Sequence, residues 1–113
     1  MNASIEPFMN DITAPVAALF KSTVQKRVAA ASALGDSKNP AAVSPLIRSL
    51  ADPHAKVRQE SARALGRLDD AEAVPALISA LRDPEPAVRT AVIAAIGRIR
   101  DRRATGALVA CLE

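Results

Sequence analysis

Apolar residues recur along this chain at two alternating helical spacings. In one kind of segment Val43, Leu46, Ile47 and Leu50 fall at i, i+3, i+4 and i+7, one face of an α-helix. Ala73 to Leu81 and Ala104 to Leu112 carry the same design, and Ile12 to Leu19 carries it earlier in the chain. Pro45 and Pro75 fall in the first turn of their segments, where a missing N–H costs little. The second kind is Val57 to Leu68, with Val57, Ser61, Ala62, Leu65 and Leu68 as the expected buried stripe. It recurs from Val88 to Ile99 and more weakly from Val24 to Gly35. Asp52-Pro53 and Asp83-Pro84 mark turns inside a helix pair, where Asp caps and Pro starts the next helix. Gly35, Gly66 and Gly97 lie near the ends of the second-kind helices, where a glycine either admits a neighbouring helix or ends its own.

Superposing the segments reveals a repeat of about 31 residues. Arg27, Arg58 and Arg89 align, as do Ala33-Leu34-Gly35, Ala64-Leu65-Gly66 and Ala95-Ile96-Gly97. The expected organisation is an irregular lead-in over 1–10 and a single domain over 11–113. Its helical hairpins span about 11–36, 41–68 and 72–99, followed by a final helix at about 103–112. Short connections make neighbouring helices antiparallel. The fold class is therefore all-α. Repeats of this kind stack on their neighbours and build extended surfaces, more often than reaction centres.

The pattern of Asp-Pro, Val-Arg, Ala-Leu-Gly and Ala-Val-Pro-x-Leu-Ile resembles the HEAT repeat, in the shorter HEAT-like form of phycobilisome-lyase-type proteins. The likeness covers roughly residues 12–112. It implies a right-handed α-solenoid (an alpha-alpha superhelix), armadillo-like in outline, with first-kind helices on the convex side and second-kind helices on the concave side. It also implies that Asp52 with Arg58 and Asp83 with Arg89 form a ladder bonding within and between units. Arginine suits that task because it donates several hydrogen bonds at once. The first copy departs from the family pattern, with Lys21-Ser22 where the others have Asp-Pro, so Arg27 is expected to turn to Asp52 of the next unit.

If the second-kind helices line the concave side, the residues between their buried positions face a groove. In the first unit these are Val24, Gln25, Val28, Ala29, Ser32 and Asp36. Lys56, Gln59, Glu60, Arg63 and Arg67 in the middle unit, with Thr90 and Arg98 in the third, form the expected partner-binding set. Ala55, Pro86, Ala87, Ala91 and Ala94 complete the lining.

Composition narrows the chemistry. Phe8 and Phe20 are the only aromatics, so the core must be small aliphatic packing and base stacking has no platform. The formal charge of +3 is a mild basic bias that does not by itself call for a polyanion. His54, the single histidine, has no carboxylate or cysteine at metal-ligand or triad spacing. HEAT-like deoxyhypusine hydroxylases hold a di-iron centre on His-Glu pairs, and no such pair occurs here. The lone Cys111 lies on an apolar helix face, excludes an intramolecular disulfide and suits a reducing cytoplasm. The N-terminal residues have neither the basic nor the apolar region of a secretory signal. No apolar run approaches membrane-spanning length, so no membrane partner is expected.

These readings favour a non-catalytic scaffold without cofactor or metal, binding another protein or peptide on its concave face. Two alternatives stand beside it. Phosphate-backbone nucleic-acid binding would use Arg63, Arg67, Arg98, Arg100, Arg102 and Arg103. An accessory subunit of a phycobilin lyase-like enzyme is the other, by analogy of fold. The helix at 103–112 has no second-kind partner in the repeat pattern, so either the chain is part of a longer array or another copy packs end to end, and self-association through this helix is the expectation.

Overall fold

The protein is described by a computed structural model over residues 11–99. The lead-in expected at 1–10 and the final helix expected at 103–112 lie outside the described residues. Within them the chain forms six α-helices and no strand. They are α1 (Thr13–Phe20), α2 (Val24–Asp36), α3 (Val43–Ser49), α4 (Ala55–Leu68), α5 (Val74–Ala80) and α6 (Pro86–Ile99). Consecutive pairs make three hairpins.

Local chemistry sets the helix ends. The Thr23 side chain accepts the Lys26 N–H at 3.3 Å and opens α2. His54 Nδ1 accepts the Lys56 N–H at 3.2 Å and opens α4. Each satisfies one of the donors that a helix start leaves without an intrahelical partner. Single turns of 3-10 helix over Pro40–Ala42 and Ala71–Ala73 lead into α3 and α5, held by Asn39 and Asp70 side chains. Helix α4 ends where Asp69 adopts the left-handed conformation, φ 53°.

The core is a ladder of aliphatic rungs. Leu19, Leu46 and Leu77 come from the first helix of each hairpin, and Leu34, Leu65 and Ile96 from the second; all are buried. Val57, Ser61, Ala62 and Leu65 of α4 are buried and Leu68 partly so. Ala64 is fully buried as well, although it lies off that stripe.

Gly35 and Gly66 explain the burial of Ala64. The second helices α2, α4 and α6 pack side by side, whereas the first helices touch one another little. A Cβ placed on Gly35 would stand 2.7 Å from the Ala64 Cα, and one on Gly66 would stand 3.0 Å from the Ala95 Cα. Both glycines therefore serve close helix approach. No glycine among the described residues has positive φ, so none of them ends its helix by the left-handed route.

One polar contact sits in this core. Ser61 Oγ lies 2.8 Å from Ser49 Oγ and 2.7 Å from the Val57 carbonyl oxygen, and both serines are buried. Each hydroxyl has one proton, so Ser61 donates to the Val57 carbonyl and accepts from Ser49. The third hairpin has Ala80 and Val92 at these positions. Ser61→Ala should cost about 1–2 kcal/mol, because Ser49 then loses its acceptor in a dry site. Adding Ser49→Ala should recover most of that loss, as measured by urea unfolding.

Candidate protein-binding groove

The repeat arginines bind two ways at once. Arg58 gives its Nη1 to the carbonyl oxygens of Asp52 at 2.8 Å and Pro53 at 3.1 Å, inside its own hairpin. Its other edge forks onto the next hairpin, Nε to Asp83 Oδ2 at 2.8 Å and Nη2 to Oδ1 at 3.3 Å. Arg27 does the same, with Nη1 on the Ser22 carbonyl and Nε and Nη2 on Asp52 at 2.9 and 3.1 Å. Asp52 and Asp83 also accept the backbone N–H of His54 and Glu85 at 2.8 and 2.9 Å, which closes the turn before α4 and α6. Each aspartate thus shapes its own turn and receives the preceding repeat. Within a hairpin the arginine meets the carbonyl of its Asp; the carboxylate goes to the arginine one repeat earlier.

The electrostatics at Asp83 follow. Burial alone pushes its carboxyl up, but the Arg58 hydrogen bond, the Glu85 N–H and the charges of Arg58 and Arg89 outweigh it and hold the carboxyl below the ordinary range. A depressed folded-state value gives stability that is present above the unfolded value of about 3.9 and lost as pH falls through the folded one. Wild-type stability should therefore drop below about pH 4, and Asp83→Asn should flatten that drop while lowering stability at neutral pH. Thermal unfolding across pH 2.5–7 (roughly the span of carboxylate titration) checks this.

The partner-binding residues fall into three groups. Arg63, Arg67 and Arg98 come together, around a groove of about 250 Å³ between α4 and α6 whose floor is Gly66, Ala91, Ala94 and Ala95. The small floor follows from the close approach of the two helices. Lys56 and Thr90 are exposed and Gln59 is half-buried, and all three lie outside the groove lining. The Thr90 hydroxyl is turned onto its own helix, donating to the Pro86 carbonyl at 3.0 Å. Glu60 is half-buried and serves Arg67. Ala91, placed among the lining residues by its spacing, is buried with 6% of its surface exposed.

The three arginines differ in freedom. Arg67 bridges α2 and α4: Nη2 donates to the Ser32 carbonyl at 3.1 Å, and both Nη atoms lie 3.4 Å from Glu60 Oε2. Its Nε stands 3.1 Å from Asp36 Oδ1, an ion-pair contact off the hydrogen-bonding direction. Its side chain is 28% exposed and is held by the fold. Arg63 is 57% exposed and only 3.9 Å from Glu60, and Arg98 is exposed. These two arginines are available to a ligand.

A larger hollow of about 470 Å³ opens between α3 and α5, lined by Ile47, Leu50, Ala76 and Ala80 among others. It lies between first helices, which touch one another little. Asp83 at its margin is already engaged by Arg58. Ile93 is a surface residue that spacing alone did not single out: it is 49% exposed, where the aligned Ala31 and Ala62 are fully buried. An isoleucine in a column of alanines was the available signal. Among the described residues no three His, Cys, Asp or Glu side chains group to hold a metal ion, and no helix is long and apolar enough to cross a membrane. Arg100, Arg102, Arg103 and Cys111 lie outside the described residues.

The HEAT repeats family model matches residues 13–76 and 45–113, which together take in most of the chain. Among solved structures, a chain in the complex of CpcE and CpcF of phycocyanin lyase from Nostoc sp. PCC7120 superposes with a TM-score of 0.82 at 33% sequence identity. The match covers 91% of this chain and 42% of that one, so this chain spans less than half the length of the chain it resembles. No curated protein matches. Stacked hairpins, the repeated Arg–Asp fork and the family match agree: the chain belongs to the HEAT-repeat family.

Proposed function

We propose that the protein is a non-catalytic interaction module that holds a protein partner in the groove between α4 and α6. The observation that carries this is the pairing of Arg63 and Arg98, both exposed, with Arg63 in a long 3.9 Å contact to Glu60, above a floor of glycine and alanine. A shallow small-residue floor admits a helix or extended segment closely. The two guanidinium groups select carboxylates on it by forked hydrogen bonds. Because Arg67 is fastened to Ser32, Glu60 and Asp36, the groove is preformed, which reduces the ordering cost of binding. The cytoplasm is the compartment that this reading places it in.

The lyase likeness favours a second form of the same reading. The similar chain belongs to a complex of two subunits, and an accessory role beside another protein is compatible with the groove. For phosphate-backbone binding, Arg67 is committed internally, which leaves Arg63 and Arg98 at the groove among the described residues.

Quantitative affinity capture from a native lysate tests the proposal. The wild-type chain is compared with Arg63→Glu/Arg98→Glu, and retention of labelled duplex DNA is measured at two salt concentrations. At least one protein should be lost from the variant's catch by about tenfold or more, as expected when one side of a charged hydrogen-bonded pair is reversed. Identical catches would move the site off this face. DNA retention falling steeply with salt would favour the phosphate reading.

A further inference from the structure

The groove at Arg63 and Arg98 has a counterpart one repeat earlier, and the chain closes that one itself. One repeat back, the positions of Arg63, Arg67, Ala91 and Arg98 hold Ser32, Asp36, Glu60 and Arg67. In that earlier seam, between α2 and α4, Arg67 lies across Gly35: its Nη2 would stand 2.6 Å from a Cβ placed there. The Ser32 carbonyl oxygen, Asp36 and Glu60 pin it in that position. The later seam lacks both acids. Arg67 stands where Asp36 would be, and Ala91 where Glu60 would be. The nearest atoms to a Cβ on Gly66 all belong to Ala95, and the groove above stays open at about 250 Å³. Arg98 is exposed and pairs with no carboxylate among the described residues.

We infer that the partner supplies the missing acids as two adjacent carboxylates, aspartate or glutamate, in an extended segment laid along this groove. The inference rests on the groove being the binding site. Charge sets the number of acids. Arg67 is matched by Asp36 and Glu60, so the cations left over are Arg98 and Arg63, whose contact to Glu60 is long at 3.9 Å. Geometry sets their spacing. Arg63 comes from α4 and Arg98 from α6, so they rise from opposite walls. Successive side chains of an extended segment point to opposite sides, whereas side chains three or four apart in a helix share one side. Two neighbouring acids therefore reach both walls at once, each in a forked bond to a guanidinium. One turn of helix, about 10 Å across and about 5.4 Å long, fills roughly 400 Å³, more than this groove holds. No segment of the sequence offers such a pair. Its one adjacent acidic pair is Asp69-Asp70, where Asp69 is left-handed at φ 53° and Asp70 accepts the Glu72 N–H at 2.9 Å. Residues 100–113 set Arg100, Arg102 and Arg103 against two separated acids, Asp101 and Glu113.

The test uses the full chain and fluorescein-labelled glycine-serine peptides read by fluorescence anisotropy at low salt. One peptide carries Glu-Glu at its centre, a second carries Glu-Ala-Glu, and a third carries Gln-Gln. The first two have equal charge and differ only in which sides their acids face. The adjacent pair should bind about tenfold or more tightly than the spaced pair, and the glutamine peptide should not bind. Arg63→Gln and Arg98→Gln should each weaken the adjacent pair about tenfold or more and remove its advantage over the spaced one. Both variants should melt close to wild type, because both side chains are exposed. Arg89→Gln, an equal loss of charge outside the groove, should leave binding unchanged. Absence of binding, equal binding of the two acidic peptides, or indifference to both groove variants would overturn the inference. So would tighter retention of duplex DNA at the same salt, which would assign the cations to phosphates. If Arg63→Glu/Arg98→Glu still loses a lysate partner while the two acidic peptides bind alike, the groove stands as the site and only the inference fails.

Discussion

Replacing Asp83 with alanine should lower the unfolding free energy by about 3 kcal/mol, the lower end of the range for removing one member of a buried ion pair. The pair is secluded, with 14% of the Arg58 side chain exposed and 7% of Asp83. Alanine strands the guanidinium with its Nε and Nη2 protons unbound, and it removes the acceptor that closes the turn at Glu85. For a domain of this size the melting temperature should fall by roughly 12–24 °C. The rest of the column sharpens the test. Asp52→Ala should cost less, because Arg27 at 19% exposure keeps more access to water. Arg89→Ala should cost about 1 kcal/mol or less, since among the described residues its guanidinium holds only carbonyl oxygens, through Nη1. Arg58→Met added to Asp83→Ala should restore part of the loss, because no stranded charge remains. Equal costs at all three positions would mean that the fork between repeats is not what couples them.

Gly35→Val should destabilise by about 3 kcal/mol, at the upper end of the overpacking range. The obstacle to a Cβ at Gly35 is the backbone and Cβ of Ala64, each 2.7 Å away, together with Arg67 Nη2 at 2.6 Å. A helix backbone does not swing aside as a side-chain tip does, so α2 and α4 must separate along the seam. The Arg67 bonds to Ser32 and Asp36 would be strained with them. The same substitution at Gly66, where the nearest atom is at 3.0 Å, should cost less. Gly97→Ala should stabilise by roughly 0.5–1 kcal/mol, because helix propensity is gained and no described residue lies within 4 Å of the added Cβ. Chemical denaturation of the three variants reads the gradient. A destabilising Gly97→Ala would mean that another segment packs against α6 at this position.

Much of this was legible in the residues. The periods of Val43, Leu46, Ile47 and Leu50 and of Val57, Ser61, Leu65 and Leu68 specify helices and their buried faces, because burial follows helical geometry directly. The role of the glycines was only half legible. A glycine near a helix end fits a cap as well as a contact, and only the distance from Gly35 to Ala64 decides between them. The groove was legible as a face but not as a site. Spacing places Lys56, Gln59, Arg63, Arg67, Thr90 and Arg98 on one side of their helices. It cannot reveal that Arg67 is consumed by Ser32 and Asp36, contacts that cross between hairpins, as well as by Glu60 two turns earlier on its own helix. Ile93 escaped for the opposite reason: an isoleucine at a helix position that is buried in two repeats reads as core until the third repeat is found to be uncovered there.

Site-specific photo-crosslinking offers the most direct test of where the partner binds. A benzophenone side chain is placed at Ala94 on the groove floor and, in a separate variant, at Ser79, which is exposed on α5 at the first-helix side. Irradiation in native lysate should give a discrete protein adduct from position 94 that Arg63→Glu suppresses, and none from position 79. Adducts from position 79 alone would contradict the account and place the binding surface on the opposite face of the solenoid.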